Sequence, residues 1–320
     1  MPCDDLYLNP AKRPTMYFIG MSTERSMIMK VFPAWARALG LGDCVLRGIN
    51  LDLHDSPRCY RQVVAFIKED PLSLGALVTT HKIDLLHAAR DIFDELDSFA
   101  SLMGEVSSIA KRDGRLAGAA RDPISSGLAL EAFLPDRHWE RTRAEAFLIG
   151  AGGSSIALCA HLADRGRGAD RPSRIVVSNR SPRRLDEMRE IHYKLSVDLP
   201  VEYVHTPRPE DNDAVLARLA PGSLVANATG LGKDAPGSPL RDGAPFPRNG
   251  FAWDFNYRGD LLFLRQARSQ EAPRGLRVED GWLYFIYGWL CVIGDVFHRD
   301  IPLHGPRFDE LRRIADAQRT

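Results

Sequence analysis

Short apolar runs alternate with longer amphipathic stretches along most of the chain. Residues 15–20 (TMYFIG) predict a strand. Residues 26–39 predict a helix, because Ile28, Val31, Phe32, Trp35 and Leu39 recur at three- and four-residue spacing. The series continues with a strand at 44–49, a helix at 57–67, a strand at 74–80 and two short helices at 84–89 and 92–100. Residues 106–110 and 116–120 read as a hairpin around Asp113-Gly114. Strands alternating with helices imply a mainly parallel sheet covered on both faces.

A second unit begins near Pro123. An amphipathic segment at 125–133 and a polar connector at 135–143 lead into a strand at 144–149, a glycine-rich turn and a helix at 155–164. Strands at 174–178, 200–205, 223–228 and 252–255 follow, with a helix from Arg184 after the first of them. This is the rhythm of a doubly wound nucleotide-binding domain. The last strong pattern, 281–297, is an aromatic-rich helix whose apolar character needs a partner surface. Packing back on the first domain would supply one and make that domain discontinuous.

Composition narrows the function. Lysine plus arginine and aspartate plus glutamate each number 42, so there is no bulk electrostatic case for nucleic acid or an anionic membrane. The five cysteines include no CxxC spacing, which indicates neither a disulfide framework nor a zinc site and leads us to expect reduced thiols. The N-terminus is acidic and no apolar core of signal-peptide length follows it, so a cytoplasmic protein is expected.

The chemistry starts at Gly150-Ala151-Gly152-Gly153-Ser154-Ser155, between a strand and a helix. Glycines let a pyrophosphate approach the backbone, and the helix that follows offers unpaired N–H groups and a partial positive charge. The next strand decides which dinucleotide binds. An acid there would hold a ribose 2′-hydroxyl, but this one ends Ser178-Asn179-Arg180-Ser181-Pro182-Arg183-Arg184. Guanidinium groups grip a 2′-phosphate, so NADP is preferred. Basic residues at a helix N-terminus oppose its dipole, which suggests an anion between them.

Several segments, in order, resemble the shikimate/quinate dehydrogenase family. Residues 76–82 (ALVTTHK) are similar to its NVTxPxK string, 104–108 (GEVSS) to GAVNT, and 118–122 (GAARD) to GxNTD. Residues 150–153 and 179–181 match GAGG and NRT, 227–232 (NATGLG) resemble NATPxGM, and 254–257 (DFNY) resemble DxxY. The resemblance implies an α/β substrate domain at 1–123 and 283–320 and a Rossmann-type NADP domain at 124–282, with the C-terminal helix returning to the first. It implies a monomer or homodimer, a small carboxylic acid substrate and a place in aromatic amino acid biosynthesis. Lys82 and Asp122 fall on the catalytic pair. Ser26, Thr79 or Thr80, Ser107, Arg121 and Tyr257 fall near the substrate. Gly150 to Ser154, Asn179, Arg180, Ser181 and Arg184 fall around the cofactor phosphates, with Asn227, Thr229 and Gly230 on the nicotinamide side.

The departures concern the substrate. The family grips a carboxylate with an SxS pair, of which Ser26 remains while Ile28 replaces the second serine. Asparagines of the strings become Ala76, Ser107 and Ala120. A site that loses these partners should bind a polyhydroxy acid poorly. Arg25, His81 and Arg121 are replacement groups for a carboxylate, so a related hydroxy or keto acid with fewer ring hydroxyls is expected. The competing expectation is an NADP-binding regulatory or sensor protein on the same fold without turnover.

Overall fold

The computed structural model describes residues 8–233 and 235–319. It divides into two units: the chain up to Arg121 with the residues from Ile286 onward, and the segment from Asp122 to Phe285. The first apolar run becomes β1 (Thr15–Gly20), buried at every position. It is followed by α1 (Ile28–Leu39), β2 (Val45–Asn50), α2 (Pro57–Glu69), β3 (Ser73–Val78) and α3 (Lys82–Ala89). α1 buries Ile28, Val31, Phe32 and Trp35 and stops at Gly40, in the left-handed conformation. α2 starts where the Ser56 hydroxyl accepts from the Cys59 N–H, with Pro57 as first residue.

The single helix expected over 92–100 is not formed. The chain makes β4 (Glu95–Leu96) and then α4 (Ser98–Met103). Two acids divide the segment. Asp94 accepts the Leu116 N–H at 2.8 Å, drawing its neighbours onto the sheet, and Asp97 caps α4 by accepting the Ala100 N–H at 2.7 Å. β5 (Ser108–Arg112) and β6 (Arg115–Ala119) form the expected hairpin, with Asp113 (φ 51°) and Gly114 (φ 76°) both left-handed as a type I′ turn needs. The strand order is β2-β1-β3-β5-β6-β4, and β5 runs antiparallel to both neighbours, so this sheet is mixed.

The second unit opens with α5 (Asp122–Glu131). The expected polar connector holds a short helix, α6 (His138–Thr142), because Trp139 is fully buried and the His138 ring bonds the Gly222 carbonyl at 2.9 Å. Then come β7 (Ala146–Ile149), α7 (Gly153–Leu162), β8 (Ile175–Asn179), α8 (Pro182–Lys194), β9 (Val201–His205) and α9 (Pro209–Leu216). The unit continues with β10 (Leu224–Asn227), β11 (Phe251–Asp254), α10 (Leu262–Arg268), α11 (Glu271–Arg274) and β12 (Arg277–Glu279). Every strand pair is parallel, in the order β12-β11-β10-β7-β8-β9. That is the doubly wound arrangement, and its winding reverses between β7 and β10, where such sheets bind ligands beyond the strand ends. Phe147, Val225, Phe246 and Phe263 lie at the heart of its core.

The chain closes with α12 (Trp282–Val296) and α13 (Gly305–Asp316), and the unit boundary falls inside α12. Within the first unit Trp289 lies edge-on to Phe18 with ring centroids 5.0 Å apart, and Tyr287 stacks on Phe308 at 4.6 Å. The Trp35 indole N–H donates to the Leu311 carbonyl at 2.8 Å. The C-terminal helices thus cover apolar surface of β1 and α1. Among the described residues no helix is long and apolar enough to cross a membrane. Cys44, Cys159 and Cys291 are reduced thiols, whereas Cys59 is disulfide-bonded, against the expectation of reduced thiols throughout.

Candidate active site

In the second unit, β7 ends at Ile149 and the chain turns sharply at Gly150, whose φ of 111° suits only glycine. A side chain there would also meet the Ala228 carbonyl oxygen at 3.0 Å, so the turn lies close against the loop after β10. Ala151 is buried beneath it. Gly152 is the N-cap of α7 and offers no capping side chain, and a Cβ placed on it would meet nothing within 4 Å. The first-turn N–H groups of α7, from Gly153 and Ser154 onward, therefore face an open position, as a pyrophosphate requires. Ser155, where a third glycine is usual, is fully buried against the strand.

β8 delivers the cationic group. The Asn179 side-chain oxygen accepts the Ser181 N–H at 3.1 Å, folding a tight turn that leaves Arg180 exposed. The Arg180 side chain makes no hydrogen bond or ion pair among the described residues; only its carbonyl is used, by His205. Arg183 and Arg184 both turn to Glu187, at 2.6 and 3.0 Å. The expected arginine cluster thus reduces to one uncommitted guanidinium, with Arg184 partly neutralised.

The loop after β10 is held from inside. Asn227 is fully buried; its oxygen accepts the Thr229 N–H at 3.1 Å and hydroxyl at 2.6 Å, and its amide donates to Asp254 Oδ1 at 3.0 Å. Asn256 donates its N–H to the same oxygen at 3.0 Å and its amide to the Leu231 carbonyl, also at 3.0 Å. Asn227 and Thr229 are therefore committed to shaping the turn at Gly230. Burial pushes the Asp254 carboxyl up to about 7. Tyr257 packs its ring between Trp282 and Phe285, at 5.4 and 4.9 Å. Asp122, first residue of α5 and 6% exposed, accepts the Tyr284 hydroxyl at 3.0 Å. Tyr284 escaped the sequence reading, since nothing in the aromatic run of α12 marks which ring turns to an acid.

In the first unit Lys82 is half-buried and opens α3, and its carbonyl accepts the Val106 N–H at 3.3 Å. Thr79 is half-buried at the end of β3, against Gly20, while Thr80 is exposed. His81 is fully buried, with Nδ1 3.2 Å from the Tyr60 hydroxyl, and burial lowers its pKa, so it stays neutral. Ser26 follows a single 3-10 turn, Thr23–Arg25, and neither its hydroxyl nor the exposed Arg25 guanidinium has a hydrogen-bond partner among the described residues.

Two expected substrate contacts are otherwise engaged, and the position of the missing serine is closed. Ile28 is fully buried in the core, so it presents no hydrocarbon to a ligand. The Ser107 hydroxyl accepts the Arg121 N–H at 2.7 Å. Arg121 makes a two-point bond to Asp295, at 2.6 and 2.8 Å, with Asp97 at 3.6 Å, so it clamps β6 to α12 instead of offering itself to a carboxylate. Arg121→Met and Asp295→Asn should each lower stability by about 1–3 kcal/mol, and together by less than the sum. Urea denaturation of the two variants and their combination checks this; a rise in substrate KM without any loss of stability would return Arg121 to the substrate.

No protein-family model matches the chain. It is 28% identical to the shikimate dehydrogenase (NADP+) of Symbiobacterium thermophilum over 222 residues, 68% of this chain and 70% of that one. Against the shikimate dehydrogenase (NADP+) of Paramagnetospirillum magneticum it is 24% identical over 304 residues, covering 94% and 95% of the two chains. The chain is a divergent relative of the shikimate dehydrogenases. Its fold matches that of Thermus thermophilus shikimate 5-dehydrogenase solved with NADP(H) and shikimate, with a TM-score of 0.68, 21% identity and coverage of 95% and 99%. Where it leaves the shikimate dehydrogenase strings, the altered residues sit mostly in the first unit.

Proposed function

We propose that the chain is an NADP-dependent oxidoreductase that interconverts a hydroxyl and a ketone on a small, shikimate-like carboxylic acid. The observation that carries the reading is the glycine turn from Gly150 to Ser154, open at Gly152, followed at the next strand by the uncommitted Arg180. The turn and the α7 N-terminus take the pyrophosphate, and Arg180, flanked by Asn179, Ser181 and Arg184, takes the 2′-phosphate. When bound, NADP supplies a hydride acceptor. Lys82 would take the hydroxyl proton of the substrate on its amine when the alcohol is oxidised and return it when the ketone is reduced. Asp122, held by Tyr284, is the acid of the proposed catalytic pair and would accept a hydrogen bond from the substrate hydroxyl. The acid's carboxylate is met by Ser26 and Arg25, because Arg121 and His81 are otherwise engaged.

The assay is reduction of NADP and NAD across shikimate, quinate and hydroxy acids with fewer ring hydroxyls. Turnover of a less hydroxylated acid with NADP is the expected result. Efficient use of shikimate would defeat the substrate assignment, and preference for NAD the cofactor assignment. Arg180→Ala should weaken NADP by roughly 10- to 100-fold, the loss of a charge-assisted contact, and leave NAD binding unchanged. Titration of NADPH and NADH fluorescence reads both, and equal weakening would remove Arg180 from the phosphate. A second reading, cofactor binding without turnover, is favoured by the engagement of Ser107 and Arg121 with other protein groups. NADPH binding with no turnover across the panel would support it.

A further inference from the structure

Glu105 has no counterpart in the chemistry above. It is 1% exposed, and it stands where the GAVNT string carries an alanine. The segment bearing it runs beside the turn that carries Lys82. The Val78 N–H donates to the Ser107 carbonyl at 2.9 Å, and the Val106 N–H donates to the Lys82 carbonyl at 3.3 Å. These two bonds bracket the corner from β3 into α3 and place the Glu105 backbone within a residue of the contact to Lys82.

A carboxylate this deeply buried needs a cation or a proton, since desolvation of an uncompensated charge costs several kcal/mol. The ionisable groups on the flanking elements are few. His81 is neutral and bonded to Tyr60. Arg121, at the end of β6, gives its guanidinium to Asp295 and Asp97. Lys111, near the far end of β5, donates to the Asp70 carbonyl at 2.6 Å. Asp84 on α3 pairs with His54 at 2.8 Å, and α4 brings no ionisable residue. Lys82 is the cation on the very turn to which the Glu105 segment is bonded.

We propose that Glu105 is a positioning residue for Lys82, its carboxylate providing a counter-charge that holds the amine in place and favours its ammonium form. The inference rests on Lys82 being the group that exchanges the substrate proton. It adds a control that an alanine in this position could not exert: the carboxylate decides at what pH the amine becomes available as a base.

Two measurements on the full-length chain test it without needing a substrate. The first is acetylation of Lys82 by acetic anhydride between pH 6 and 10, read by peptide mass spectrometry. In Glu105→Gln the midpoint should fall by about one unit or more, because the charge that favours the ammonium is gone, and Glu105→Asp should restore most of it. The second is a thermal double-mutant cycle. Glu105→Gln should shift the melting temperature differently in the wild type and in Lys82→Met. If Glu105→Gln does not fold, Glu105→Ala takes its place in both. An unmoved acetylation midpoint, or equal shifts in the two backgrounds, overturns the proposal. Turnover that survives Lys82→Met would instead strike the assigned role of Lys82, and the cycle would still report on the pair.

Discussion

Lys82→Met should lower turnover by a factor of roughly 10²–10⁴, the usual contribution of one positioned acid–base group, and leave NADPH affinity unchanged. The lysine opens α3, where the helix dipole already places positive character, so a second positive charge is unfavourable for the fold. The proposed Glu105 counter-charge offsets that cost, which couples the lysine to the buried acid. Methionine keeps the length of the stem and removes the charge. Because the change leaves Glu105 buried without its counter-charge, the variant should melt below the wild type. Steady-state kinetics on the best acid of the panel, NADPH fluorescence titration and a thermal melt separate the effects. Turnover within a few-fold of wild type would take the proton away from Lys82. A fall in melting temperature with turnover retained would show that the side chain serves the fold alone.

The parts of this molecule that were legible in the sequence are those whose causes are local. The strand at Thr15–Gly20 is a single apolar run, and the Asp113-Gly114 turn is written in two residues. The glycine turn at Gly150 also declares itself, because only glycine takes that backbone angle so close to Ala228. The pairing of Arg183 and Arg184 with Glu187 was equally local, at helical spacing, yet it yielded to the expectation that all the arginines there face a phosphate. What the sequence concealed is non-local. Arg121 finds Asp295 across 174 positions, and Tyr284 finds Asp122 across 162, distances over which no periodicity speaks. The Asn227 amide turns to Asp254, which a motif string cannot foretell, because it does not say whether an amide faces a ligand or the protein. Residues 92–100 failed for a related reason: Asp94 and Asp97 look like ordinary helix-surface acids until a strand and a cap claim them.

Asp254 gives the molecule a marked pH dependence of stability. The carboxyl is fully buried at the end of β11, Oδ1 accepts two hydrogen bonds, and Oδ2 has none among the described residues. Burial raises its pKa from 3.8 to about 7, so the native state holds the proton more tightly than the unfolded chain does. The stabilisation is complete below about pH 3.8 and is lost as pH rises through about 7. A gap of about three units corresponds to about 4 kcal/mol in total, of which about 3 kcal/mol disappears between pH 5 and 8. Asp254→Asn removes the titration while keeping an oxygen for Asn227 and Asn256. Its stability relative to the wild type should therefore rise by about 3 kcal/mol between those pH values, making the wild type the more pH-sensitive protein. Urea denaturation of both proteins at pH 5 and pH 8 measures that difference directly. Equal losses in the two would mean that the acid is already ionised at pH 5, its charge balanced within the Asn227–Asn256 network.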